Sequence, residues 1–236
     1  MVRANLERVR ARIAAAARSV RREPAGVRLI CVTKGVPVEQ ILEAAAGGIR
    51  EIGENRVQEA QSKRIEIGTR YRVPGPDFRW HLIGRLQRNK VKFAVELFDA
   101  VHSVDSLELI EALERQAGIR QAQGERKLEI LLQVNVSGEA TKGGCRPDQV
   151  EELTEAVLRS GHLKWAGLMT MAPFSENPEE ARPFFRQLRR LRDQLQDRMH
   201  VSPLDLSMGM SQDFEVAIQE GATMVRVGTA IFGEGI

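Results

Sequence analysis

The stretch 31-CVTKGVPVEQILEAA-45 sets Lys34 at the end of an apolar, β-rich run, with Gly35 directly behind it and a helix start two residues further on. An ammonium taken out of water needs a partner or must lose its proton. Two readings compete. In one, the four-carbon stem lies along apolar surface and the charge snorkels to water. In the other, the amine is desolvated, partly deprotonated and nucleophilic, the state in which lysine forms a Schiff base with an aldehyde. Other chemistry-bearing residues must decide.

Those residues fall in two later loops. The segment 207-SMGMSQDFEVA-217 joins a hydroxyl, a glycine and a helix start after Ser211 and Gln212, and unpaired backbone N–H groups at such a place attract anions. The segment 226-RVGTAIFGEG-235 offers Gly228 for close backbone approach and the Thr229 hydroxyl. Either loop alone is an ordinary turn signal. Arg226 sits inside an apolar run with Met224 and Gly228 on its own face, and a buried guanidinium keeps its charge, so it needs an acceptor there. A lysine, an anion nest and an interior arginine together match pyridoxal 5'-phosphate, which has an aldehyde, a phosphate and a ring nitrogen that proteins partner with Asp or Arg.

The elements that must position these groups follow from the hydrophobic pattern. β-Rich runs at 27–33, 49–53, 79–83, 98–103, 128–136, 163–170, 204–208 and 223–228 read as eight strands. Between several of them apolar residues recur at helical spacing, as in Leu107, Ile110, Leu113 and Ala117, or Phe184, Leu188, Leu191 and Leu195. Pro37 marks a helix start, Asp105 with Glu108 reads as a capping box, and Asn177 before Pro178 marks another start that Pro183 should kink or delay. Alternation of strand and helix predicts parallel strands with right-handed crossovers, and eight of them predict a closed (β/α)8 TIM barrel, α/β in class, in one domain over 1–236. Strand eight ends close to Ile236, so the outer place after it is assigned to an N-terminal helix over 2–22. No strand is followed by a G-x-G-x-x-G loop, which argues against an open dinucleotide-binding sheet. In such a barrel the site lies at the carboxyl ends of the strands, with phosphate held after strands seven and eight, where the two loops fall. Alternation along the strands turns Asp205 and Ser207, and likewise Gln133 and Asn135, to the interior.

Composition excludes several classes. The chain has 236 residues, 42% of them hydrophobic, enough for a large core. Its 35 basic side chains against 32 acidic ones leave a net charge of +3, so no global field calls for nucleic acid or a membrane surface. An anionic partner such as RNA at 79-RWHLIGRLQRNKVK-92 or at Arg186, Arg189, Arg190 and Arg192 is outweighed by a solvated helix face balanced by acids. Cys31, read as core packing, and Cys145, in a glycine-rich loop, make neither a disulfide framework nor a metal site, which fits a reducing cytoplasm. The four histidines lack metal-ligand spacing, and His81 and His102, ending neighbouring strands, are expected to hydrogen-bond in the pocket. The N-terminal segment reads as an amphipathic helix containing Glu7, not a targeting sequence, and no run is long enough to span a bilayer.

Through 32-VTK-34, 53-GENR-56, 80-WHLIGRLQRNK-90, 207-SMGMSQD-213 and 226-RVGTAIFG-233 the chain resembles, over nearly its whole length, the pyridoxal phosphate homeostasis protein family. The resemblance implies the barrel of the alanine racemase group without its second domain. It implies a Schiff base at Lys34, phosphate contacts around Ser207, Gly209, Met210, Gly228 and Thr229, Arg226 facing the pyridine nitrogen, and Asn55 and His81 beside the ring. Lys142 matches a second lysine position near the barrel mouth. The family continues after the FG pair with an arginine and a tyrosine, whereas this chain ends FGEGI.

An arginine at the pyridine nitrogen keeps it unprotonated and weakens the ring as an electron sink. Racemisation would also need a second base on the opposite face of the amino acid. The resemblance implies that related racemases take a tyrosine from their second domain, whereas the one tyrosine here, Tyr71, lies in a polar segment read as a solvent loop. The expectation is a soluble, monomeric, cytoplasmic carrier that holds pyridoxal 5'-phosphate and delivers it to enzymes dependent on it, with no catalytic residue assigned. A weak amino-acid racemase is the rival reading, and a class I aldolase, whose lysine typically lies on a later strand, is a further one.

Overall fold

A computed structural model describes residues 1–70, 77–122, 124, 126–139, 142–201 and 203–233. Tyr71 and the end of the FGEGI tail lie outside the described residues. The eight expected strands are β1 (Arg28–Val32), β2 (Glu51–Glu54), β3 (Arg79–Leu82), β4 (Ala100–Val104), β5 (Leu128–Gln133), β6 (Leu163–Met169), β7 (Asp205–Ser207) and β8 (Met224–Val227). They pair in parallel in chain order, and β8 returns to β1 to close the barrel. The expected fifth strand runs three residues too far. After Gln133 the chain pairs with its own following loop, Cys145 N–H donating to the Gln133 carbonyl and Asn135 N–H to the Cys145 carbonyl, both at 2.9 Å.

The helices are α1 (Val2–Ser19), α2 (Val38–Ala46), α3 (Val57–Arg70), α4 (Val91–Leu97), α5 (Leu107–Gln121), α6 (Val150–Arg159), α7 (Arg182–Met199), α8 (Phe214–Gln219) and α9 (Thr229–Phe232). Helix α1 buries Leu6, Val9, Ile13 and Ala17 along one stripe, at the three-and-four spacing that puts residues on one face. It takes an outer place beside α8 and α9, fastened by Arg12 to Glu215 at 2.6 Å and by the Asn5 amide to the Ile231 carbonyl at 2.8 Å. After β8 the chain adds, among the described residues, only α9, one short turn, so the outer place there is left to α1 as expected.

Two further local expectations meet different outcomes. Ser106, not Asp105, caps α5, its hydroxyl accepting Leu109 N–H at 3.3 Å, while the Asp105 carboxylate accepts Gly144 N–H across the loops. Asn177 does cap a 3-10 turn over Pro178–Ala181, accepting Glu179 N–H at 3.1 Å. Pro183 delays the helix as expected, falling in the first turn of α7 where its missing N–H leaves no intrahelical bond unmade.

Outward strand residues such as Cys31, Ile52, Leu206 and Val225 pack with the helices in one large core, and a small cluster of Ile30, Leu131, Ala166, Met169 and Met224 fills the barrel. Cys31 and Cys145 are both buried, and burial pushes each thiol up to about 12. Three arginines of α7, Arg182, Arg186 and Arg189, converge on the Glu220 carboxylate at 3.0, 3.0 and 3.4 Å. Among the described residues no helix is long and apolar enough to cross a membrane, and no three His, Cys, Asp or Glu side chains group to hold a metal ion.

Candidate functional site

At the carboxyl ends of the strands a cavity of about 580 Å³ opens, with Asn55, Met210, Ser211, Arg226, Gly228 and Thr229 in its walls. Five of these were expected at the site; Ser211 was in the motif without an assigned role. The loops after β7 and β8 are braced to one another. The Ser211 hydroxyl oxygen accepts the N–H groups of Gly228 and Ala230, both at 3.3 Å, which leaves its O–H to donate. Met210 N–H donates to the Asp213 carboxylate at 2.6 Å, and Arg226 N–H to the Gly209 carbonyl at 3.0 Å.

Gly209 is required by packing. Its φ is +94°, and a Cβ there would lie 2.6 Å from Ala217 Cβ and 2.9 Å from Phe214 Cα. It therefore seats the loop on α8. Gly84 does the same on the other side of the cavity, where a Cβ would come 2.3 Å from the Asn55 carbonyl oxygen. The glycine within WHLIGRLQRNK thus lets the Asn55 backbone pass close by.

Ser207 does not belong to the anion loops. It is fully buried on the interior face of β7, where its hydroxyl accepts from Arg226 Nη1 at 2.6 Å and lies 2.9 Å from His102 Nδ1. Strand alternation turns Ser207, expected at the phosphate, down into the barrel, and the serine hydroxyl of this motif that reaches the cavity wall is that of Ser211.

His81 is also absent from the cavity wall. It is fully buried in the interior, with Nδ1 2.9 Å from His102 Nε2 and Nε2 2.5 Å from a Glu51 carboxylate oxygen. The two histidines, expected to hydrogen-bond in the pocket, bond to one another below its mouth. One proton arrangement satisfies the whole chain. The Arg226 guanidinium donates to Ser207, Ser207 O–H to His102 Nδ1, His102 Nε2–H to His81 Nδ1, and His81 Nε2–H to the Glu51 carboxylate. Burial, with His81 and three arginines nearby, holds His102 well below the ordinary 6.5. Burial alone would raise the Glu51 carboxyl, yet the His81 bond and the charges of Arg28 and Arg79 bring it below its usual range. Beneath the chain, ion pairs between Arg28 and Asp205, Arg79 and Glu129, and Lys164 and Glu129 occupy the amino end of the barrel.

Arg226 is where this buried polar chain meets the cavity. Its Nη2 donates to the Thr170 carbonyl at 2.9 Å, so the two bonds use one N–H on each terminal nitrogen and leave the others available. Among the described residues no carboxylate lies within ion-pair distance of it. Burial pulls its pKa down to about 10 against the pull of Asp213, so it stays cationic at neutral pH.

Lys34 sits in the turn after β1, two residues beyond Val32 of the cavity wall, with an exposed side chain. The expectation of a desolvated amine closing a buried strand is corrected: β1 ends at Val32 and the next buried side chain, Thr33, points outward among the helices. Lys142 lies beside Gly143 of the cavity wall, 3.8 Å from Glu139. Sequence reasoning missed Asp213 and the apolar rim of Met171, Pro173 and Phe174. The aspartate's place in SMGMSQD at a helix start was a usable signal, whereas the rim residues follow no pattern distinct from loop.

Comparisons with known proteins give the family and the fold. The family described as alanine racemase, N-terminal domain, matches residues 4–235. The pyridoxal phosphate homeostasis protein of Aquifex aeolicus (strain VF5) is 44% identical over 229 residues, 97% of this chain and 96% of that one. PipY of Synechococcus elongatus PCC7942, solved with PLP bound, superposes with a TM-score of 0.80 at 40% identity, covering 94% of this chain and 100% of that chain. Alanine racemase of Clostridium difficile 630 shares the fold alone, with a TM-score of 0.71 at 15% identity over 99% of this chain and 56% of its own. On a match of this extent and identity, the chain belongs to the pyridoxal phosphate homeostasis protein family and is built on the alanine racemase N-terminal domain fold.

Proposed function

We propose that this chain binds pyridoxal 5'-phosphate reversibly at the barrel mouth, limits the free aldehyde, and hands the cofactor to enzymes that depend on it. The observation that carries the reading is the buried, half-bonded Arg226 guanidinium in the cavity wall, a fixed cation whose remaining N–H groups suit an unprotonated ring nitrogen. The Ser211 and Thr229 hydroxyls are the donors assigned to a phosphate at the expected place in such a barrel, with Gly228 letting the backbone come close. Lys34 is the amine assigned to the aldehyde, and Asn55 lies on the wall between β2 and the cavity. When bound, the cofactor supplies an aldehyde carbon that condenses with a primary amine, one water leaving. The exposure of Lys34 keeps its amine within reach of water and of competing amines, which suits a holder that must also release. A relative of 40% identity with PLP bound supports the ligand assignment.

The test is to titrate the protein and Lys34→Ala with pyridoxal 5'-phosphate by visible absorption, then reduce with borohydride and map peptides. Label on the peptide containing residue 34, absent from the variant, is the expected result; an unlabelled Lys34 overturns the assignment. Incubation with single-enantiomer amino acids separates carrier from catalyst. Racemisation faster than with free cofactor would defeat the carrier reading.

A further inference from the structure

Behind the Lys34 turn, outside the cavity, lies a buried ionic cluster of Lys63, Glu54 and Glu59. Residues 33–36 form a tight turn in which Val36 N–H donates to the Thr33 carbonyl at 2.9 Å, with Gly35 at φ +70°. That left-handed third position explains why glycine follows the lysine. Two backbone atoms on either side of Lys34 are gripped from outside the barrel. The Thr33 carbonyl accepts from Lys63 Nζ at 2.5 Å, and Gly35 N–H donates to Glu59 Oε1 at 2.6 Å.

The same ammonium donates to Glu59 at 2.7 Å and to Glu54 at 2.8 Å, so its three N–H groups are all used. Glu54 also accepts the Thr33 hydroxyl at 2.5 Å. Lys63 is 7% exposed and Glu54 not at all, and the second Glu54 oxygen has no hydrogen-bond partner. Burial pushes the Glu54 carboxyl up, whereas at Glu59 the Lys63 and Gly35 bonds outweigh burial and hold it down. A buried ion cluster with an orphaned oxygen is a poor stabiliser, since apolar residues of equal volume commonly serve as well or better. What it does achieve is geometric: it fixes the peptide units flanking one exposed lysine.

We propose that Lys63, with Glu54 and Glu59, is a positioning clamp that holds the Lys34 turn so that its amine presents to the cavity. The inference rests on the reading of Lys34 as the amine for the aldehyde, and its test has a readout independent of that reading. Lys63→Met, Glu59→Ala and Glu59→Gln are each mixed with pyridoxal 5'-phosphate and quenched with borohydride at timed intervals. The label on residue 34 is quantified, and amide hydrogen exchange at Gly35 is followed without ligand. Lys63→Met and Glu59→Ala should slow labelling by about tenfold, the loss of one hydrogen bond to a charged group, and speed Gly35 exchange. Glu59→Gln, which keeps an acceptor for Gly35 N–H, should restore both. Wild-type labelling and Gly35 protection in Lys63→Met and Glu59→Ala would overturn the clamp, as would Glu59→Gln behaving like Glu59→Ala. Should Lys63→Met fail to fold, the two variants of Glu59, at the cluster's partly exposed edge, decide alone. If wild-type Lys34 takes no label, the assignment of its amine fails while Gly35 exchange still judges the clamp.

Discussion

Ser207 and Ser211 lie four residues apart in one motif, yet their environments predict opposite phenotypes. Ser207 is fully buried and serves as acceptor for Arg226 at 2.6 Å and partner of His102 at 2.9 Å. Ser207→Ala leaves one N–H of a buried cation and one ring nitrogen unpaired. At about 1–3 kcal/mol for each neutral group so stranded, and more for a charged one, the variant should lose roughly 3–5 kcal/mol. For a chain of this length that lowers the melting temperature by on the order of 10 °C. Ser211 is half-buried, and its two accepted bonds are long at 3.3 Å, so Ser211→Ala should cost about 1 kcal/mol of stability or less. Its O–H, however, is assigned to the phosphate, a charged acceptor worth about 1.5–3 kcal/mol, which weakens pyridoxal 5'-phosphate binding by roughly 10- to 150-fold. Scanning calorimetry and absorbance titration of both variants measure the two axes. If Ser207→Ala melts within about 2 °C of the parent while losing affinity like a phosphate ligand, the interior placement of Ser207 and the chain built on it are wrong.

The buried histidine chain makes stability depend on pH. His102 is held well below 6.5 in the folded state, so on acidification the unfolded ring takes a proton that the folded ring refuses. Stability should fall by about 1.4 kcal/mol per pH unit below 6.5, down to the folded value. Denaturant titrations across that window should show a shallower slope in His102→Gln. Glu51, whose folded pKa is depressed below 4.5, adds stability above that value that is lost as pH falls through the folded one; Glu51→Gln should remove this acid limb. Gly84→Ala must displace the Asn55 backbone, since the new Cβ would sit 2.3 Å from its carbonyl oxygen, at about 1–3 kcal/mol in urea unfolding and with loss of ligand affinity. Cys31 and Cys145, both buried with thiols raised to about 12, should resist a chromogenic disulfide reagent in the native protein and react together once denaturant unfolds it.

Strand count, parallel order and closure were all legible, because β-rich runs alternate with helical segments and eight such units close on themselves. Parity was legible too: alternation placed Ser207 inside, and its interior bonds to Arg226 and His102 follow from that placement. The motifs place Ser207 and His81 at the site, yet motif membership says which loop or strand a residue joins and not how deep along the barrel axis its side chain ends. The exposure of Lys34 escapes the sequence for a related reason. A strand read as 27–33 brings the lysine to a buried end, whereas β1 stops at Val32 and the turn lifts the side chain into solvent. The clamp behind it was invisible because Lys63, Glu54 and Glu59 belong to α3 and the outward face of β2, where charged residues ordinarily read as solvated surface.

The half-bonded guanidinium of Arg226 ties occupancy to stability. Burying that cation costs desolvation, which Ser207 and the Thr170 carbonyl offset only in part, and no carboxylate among the described residues completes the set. A ligand acceptor in the cavity would do so in the folded state alone, where the guanidinium is fixed by the chain running through His102 and His81 to Glu51. Free ligand at a hundredfold excess over Kd then adds about 2.7 kcal/mol. Breaking the chain deep in the barrel should loosen the guanidinium at the mouth and reduce that gain without touching any residue of the cavity wall. On the proposed reading occupancy and rigidity rise together, because the guanidinium assigned to the ligand is also the top of the barrel's internal polar core.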